Sequence, residues 1–107
     1  MDYNMSMVRG DTLSFGIELD DFDQDLDTVF FSCKENYEDA SYIFHKSLGD
    51  GISKIETGKY VVRVAPEDTK DVTVGQYYYD LEIGANGDIF TVLKGVLDIE
   101  FDVTREV

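Results

Sequence analysis

Few groups in this chain are suited to chemistry. His45 is the only histidine and Cys33 the only cysteine. A catalytic histidine needs an acid to orient it and a nucleophile to activate. Acids abound, but no nucleophile motif accompanies His45, which falls between Phe44 and Lys46 on an expected strand. It reads as a surface strand residue. Cys33 ends the run Phe30-Phe31-Ser32-Cys33 and reads as a small buried hydrophobe rather than a reactive thiol. A lone cysteine also forms no disulfide within the chain, so the fold does not rely on oxidation. A carboxylate pair could serve glycoside hydrolysis in so acidic a chain. Strands joined by short loops, however, leave little room for a cleft. The expectation is therefore no catalytic residue, no cofactor and no enzyme.

Three segments carry more specific patterns. The acidic run from Asp20 to Asp27 places Asp21, Asp23 and Asp25 at alternate positions, where hard oxygen ligands for calcium would stand. A register starting at Asp21 puts Leu26 where an EF-hand loop needs glycine, and Ser32 where its bidentate glutamate belongs. A solvated loop between strands, anchored by Phe22 and Leu26, is the plainer reading, and no metal is expected. Arg9-Gly10-Asp11 spells an integrin-type tripeptide but reads as a tight turn, with Gly10 supplying the permissive backbone. Gly75-Gln76-Tyr77-Tyr78-Tyr79-Asp80 puts an inward tyrosine just after a glycine-bearing turn. That is the pattern of a tyrosine corner, in which a phenol pins the crossover of a Greek-key sandwich. Tyr77 is the expected corner. Tyr78, facing outward, could instead contribute to a sugar-binding aromatic platform.

The elements that hold these residues are short and alternating. Leu13, Phe15, Ile17 and Leu19 share one face of a strand over 12–19, and Tyr60, Val62 and Val64 one face of another over 59–64. Tyr77, Tyr79, Leu81 and Ile83 do the same over 76–83, opposite Tyr78, Asp80 and Glu82. Further strands are expected over 28–34, 42–48 and 52–56. Asn86-Gly87 signals a hairpin, returning over 89–93 and 96–103 with a bulge or bend at Gly95. Pro66 to Val72 reads as one helical turn crossing between sheets, with Pro66 at its first position. Seven or more short antiparallel strands describe an all-β domain, an immunoglobulin-like β-sandwich over residues 1–107 with its core in roughly 8–104.

Charge limits the partners. Twenty-three acidic against nine basic residues leave a formal net charge of −14. Phosphate backbones and anionic membranes both require basic surfaces, so neither nucleic acid nor membrane is an expected partner. The start Met1-Asp2-Tyr3-Asn4 lacks the basic and apolar regions of a signal peptide.

Taken in order, several segments resemble one family. They are Val8-Arg9-Gly10-Asp11-Thr12 with Leu13-Ser14-Phe15, Gly51-Ile52, Thr57-Gly58-Lys59-Tyr60, Ala65-Pro66-Glu67-Asp68-Thr69, Gly75 to Asp80, and Thr91 to Leu97. Their order and spacing, spread from Val8 to Thr104, resemble the N-terminal domain of the phage baseplate upper protein and related small tail proteins of phages infecting Gram-positive bacteria. The resemblance implies an immunoglobulin-like sandwich and a structural role in the virion, made in the host cytoplasm. Partners would be other tail or baseplate proteins, or further copies of the chain. In larger relatives the domain precedes a helical or receptor-side region, so either a stand-alone accessory protein or a domain of a longer chain fits. Met5, Met7, Val96, Ile99 and Phe101 are the candidate contacts. A carbohydrate-binding sandwich for host wall sugars is the alternative function, and a small hydrolase the third.

Overall fold

The computed structural model describes residues 3–19 and 26–104. Eight strands and one turn of helix follow one another: β1 (Met5–Val8), β2 (Leu13–Glu18), β3 (Thr28–Lys34), β4 (Phe44–Leu48), β5 (Gly51–Glu56), β6 (Lys59–Val64), α1 (Pro66–Thr69), β7 (Gly75–Ala85) and β8 (Asp88–Glu100). Hydrogen bonding links the strands in the order β1-β8-β7-β3-β4-β5-β6-β2. The chain is all-β and sandwich-like, rolled nearly into a barrel.

The roll has a definable corner. β4 and β5 are nominally parallel through Ser47↔Gly51 and Leu48↔Ile52. A true parallel pair needs a crossover of a dozen or more residues, and here two residues intervene. Ser47 and Asp50 exchange backbone hydrogen bonds of 3.0 and 2.8 Å, and the Gly49 amide donates to the Ile52 carbonyl at 2.9 Å. The chain thus makes a tight jog from one layer to the other. On one side lie β1, β8, β7, β3 and β4; on the other lie β5, β6 and β2. Those groups correspond to the two sheets of an immunoglobulin-like domain.

Alternation decides what lies between the layers. Val29, Phe31 and Cys33 of β3, Tyr77, Tyr79, Leu81 and Ile83 of β7, and Tyr60, Val62 and Val64 of β6 are buried together. Phe15 of β2 meets Phe31 of β3 edge-on across the layers, ring centroids 5.3 Å apart. Each fully buried aliphatic or aromatic side chain contributes about 1.5–3 kcal/mol relative to exposure, so this set drives closure of the roll.

Several expectations change. β1 is a strand that no alternation in the sequence announces; it pairs with β8, in parallel, from Met5↔Leu97 to Val8↔Glu100. Antiparallel pairing therefore does not hold throughout. The reason is that Arg9–Thr12 carries the chain across to begin β2 in the opposite layer, instead of folding back along β8. The return strand runs unbroken from Asp88 to Glu100, and its irregularity lies at Val92, between the pairs Leu81↔Leu93 and Glu82↔Thr91. Gly95 marks a close approach instead. A Cβ there would lie 2.4 Å from the Tyr3 carbonyl oxygen. Met7 and Ile99, expected as docking contacts, are buried in the chain's own core, because the parallel register sets Met7 beside Ile99. Met5 and Val96 are half-buried, and only Phe101 of that group is exposed, at 70%.

Candidate functional site

Strand register brings a polar row to the outer face of the β4-β3-β7-β8 layer. Ser32 is paired with His45 on one side and with Asp80 on the other, and Asp80 is paired with Lys94. Period-two alternation turns all four away from the core, since their neighbours Phe31, Cys33, Phe44, Tyr79 and Leu81 fill the inside. The Ser32 hydroxyl lies 2.7 Å from His45 Nδ1. A hydroxyl thus does stand beside the only histidine, contrary to the sequence expectation. The long β3–β7 and β7–β8 ladders supplied it, not a local motif.

Aromatic rings rise around this row. Tyr37, in the 35–43 loop, stacks on Tyr78 with centroids 4.1 Å apart. His45 stacks with Tyr42 at 4.6 Å and with Phe30 at 5.1 Å. The Lys34 ammonium sits 5.1 Å from the Tyr42 centroid, within cation–π range. Together they enclose a depression of about 460 Å³, floored by Ser32, Asp80 and Glu82. Room for a cleft exists after all, because the 35–43 loop folds its tyrosines over the sheet face.

Electrostatics single out Asp80. It is half-buried, and burial raises its carboxyl above the ordinary range, against the opposing pull of Lys34 and then His45. Among the described residues Asp80 makes no side-chain hydrogen bond or ion pair. An acceptor-only group is therefore held partly desolvated on the floor of an aromatic depression.

The remaining sequence candidates fall elsewhere. The Tyr77 hydroxyl donates to the Thr73 carbonyl, four residues upstream, which is the geometry of a tyrosine corner. Burial, then the Glu35 charge, raises its phenol, so it stays a donor. Gly10 and Gly75 adopt φ of 81° and 150°, a region L side chains rarely visit. Gly10 closes a turn in which the Asp11 amide donates to the Val8 carbonyl at 3.1 Å. Its own amide donates to Thr69 Oγ1 at 2.9 Å. Arg9 is engaged by Asp102 at 2.8 Å. Asp21, Asp23 and Asp25 lie outside the described residues. Among the described residues no group of three His, Cys, Asp or Glu is placed to hold a metal, and no helix is long and apolar enough to cross a membrane.

In comparisons with known proteins, no family model matches the chain and no curated protein matches it significantly.

Sequence reasoning picked out Tyr78 as a possible platform but missed Tyr37, Tyr42, Ser32 and Asp80 as its companions. Alternation already marked 78, 80 and 82 as outward. That these face the same depression as Phe30, Ser32 and His45 follows from which strands become neighbours.

Proposed function

We propose that this chain is a non-enzymatic structural module of a bacteriophage tail or baseplate, acting by docking onto other virion proteins or onto its own copies. One observation supports the reading: two segments that resemble the baseplate family, 8–12 and 65–69, far apart in sequence, are hydrogen-bonded to one another. Gly10 bonds Thr69 at 2.9 Å, and Arg9 bonds the Val72 carbonyl at 3.3 Å. Asp68 accepts the Ala65 amide at 2.7 Å and pairs with Lys46 at 2.7 Å. Two of the resembling segments thus brace one another, with Val72 and Lys46 from outside them completing the contact, as the scaffold of a sandwich would.

A scaffold that docks needs exposed apolar contacts. Ile55, Ile89, Phe90 and Phe101 are all large, apolar and exposed. The acidic surface favours partners with basic patches.

Hydrolysis is the weaker reading. In a Ser-His-Asp triad the acid holds the histidine nitrogen remote from serine. Here the strand order is His45, Ser32, Asp80, which puts the acid on the far side of the serine. The backbone amides around Ser32 lie in ladders to β4 and β7 and offer no evident oxyanion hole.

Solution mass by light scattering, at low and near-physiological salt and with and without calcium, tests self-docking. A discrete trimer or hexamer is expected. A monomer in every condition rules out self-docking and restricts the reading to a heterologous partner, which cross-linking within purified virions then tests.

A further inference from the structure

We propose that the aromatic depression on the β4-β3-β7-β8 face binds an uncharged saccharide, its ring stacking on exposed Tyr37 and its hydroxyls bonding the polar floor. This site is separate from the exposed apolar residues assigned to docking, and stands whether or not the chain assembles.

Three observations select that ligand chemistry. Tyr37 and Tyr42 are 74% and 49% exposed yet held by stacking on Tyr78 and His45. Tyr37 offers a ring face at little ordering cost, as binding tyrosines do, while Tyr42, between His45 and Lys34, borders the depression. The floor combines acceptor-only Asp80 and Glu82, donor-only Lys34 and Lys94, and the Ser32–His45 pair, which both donates and accepts. A sugar hydroxyl gives and takes hydrogen bonds, so adjacent hydroxyls on one ring match such a floor. The depression, at about 460 Å³, lies in the size range of small-ligand sites.

Competing chemistries fit less well. An apolar or flat aromatic ligand would seal Asp80 from water without giving it a donor, which is costly. A phosphate or polyanion would meet Asp80, Glu82 and a chain of net charge −14.

Asp80 also carries the mark of a residue kept at a cost to stability. Its raised carboxyl means that the folded state favours the protonated form. The corresponding stability is present at acid pH and lost as pH rises through the folded value. Asp80→Asn is accordingly expected to melt higher than the parent near neutral pH, with the difference closing on acidification.

The test is an NMR titration of the intact chain with neutral oligosaccharides of glucose, galactose and N-acetylglucosamine, with choline and inorganic phosphate as controls. At least one saccharide should give saturable shifts centred on Tyr37, Tyr42, Tyr78 and Ser32. Tetrasaccharide against disaccharide separates a segment of a glycan chain from a free sugar. Tyr37→Ala should weaken binding roughly three- to tenfold, the worth of one aromatic contact. Asp80→Asn should weaken it roughly ten- to a hundredfold, the worth of a charge-assisted hydrogen bond. A melting temperature of Asp80→Asn at or above that of the parent shows that its loss of binding is not unfolding. No saturable response to any saccharide, preference for choline or phosphate, or binding untouched by both substitutions would each overturn the proposal.

Discussion

The thiol of Cys33 lies wholly inside the sandwich, and burial pushes its pKa from 9.0 to about 12. Desolvation penalises the thiolate, so the folded chain keeps the proton that an unfolded chain would release. The contribution of Cys33 to stability is complete below pH 9.0 and is lost as pH climbs toward about 12. Denaturation midpoints should therefore fall across that alkaline window in the parent and fall less in Cys33→Ala. Near pH 8 the native thiol should react with a disulfide reagent only as fast as the chain opens. Rapid stoichiometric labelling of folded protein would contradict this burial. Asp80 shows the same penalty on the outer face, a charged group partly desolvated where a ligand's donor would repay it.

The first strand depends on a residue that has no side chain. Tyr3 donates its amide to the Lys94 carbonyl at 2.7 Å, and Asn4 Oδ1 accepts from the Val96 amide at 3.1 Å. The Tyr79 hydroxyl donates to the Tyr3 carbonyl. These bonds draw the chain directly over Gly95, where a Cβ would meet the Tyr3 carbonyl carbon at 2.8 Å as well as its oxygen. The obstacle is backbone, which cannot rotate aside, so Gly95→Ala must lift the segment before β1. A cost of about 1–3 kcal/mol is expected, as for other forced overpacking. Hydrogen exchange should show it first at the amides of Tyr3 and Val96. Unchanged protection there, with unchanged stability, would mean that the approach is looser than described. Gly95 was expected to bend its strand. A lone glycine in a strand signals either a bulge or a close neighbour, and the neighbour lies 92 residues earlier at Tyr3, beyond the reach of any local pattern.

With nine basic residues against twenty-three acidic ones, the folded chain repels itself. Compaction brings like charges together, and salt screens them over a Debye length of about 8 Å at physiological ionic strength. The melting temperature should rise as sodium chloride is added from low concentration to about 0.15 M. Any self-assembly should strengthen over the same range. A melting temperature that falls with salt would show that attractive pairs such as Arg9–Asp102 and Lys46–Asp68, at 2.8 and 2.7 Å, outweigh the general repulsion. Both pairs are largely buried at their side chains, where screening acts least, which favours the rise.

Alternation, turn residues and charge are local or additive, and what depends on them was legible in the sequence. The inward faces of β2, β6 and β7, the Asn86-Gly87 hairpin, the helical turn at Pro66 and the all-β class all follow from period-two patterning and backbone preference. The direction of β1, the burial of Met7 and Ile99 and the role of Gly95 follow from pairings across most of the chain. The same holds for the candidate site. Its residues come from four strands and a loop, and each taken singly reads as an ordinary surface residue. Only the order β4-β3-β7-β8 sets His45, Ser32, Asp80 and Lys94 in one row. Strand order depends on which buried faces pack together across the layers, and no single segment carries that information.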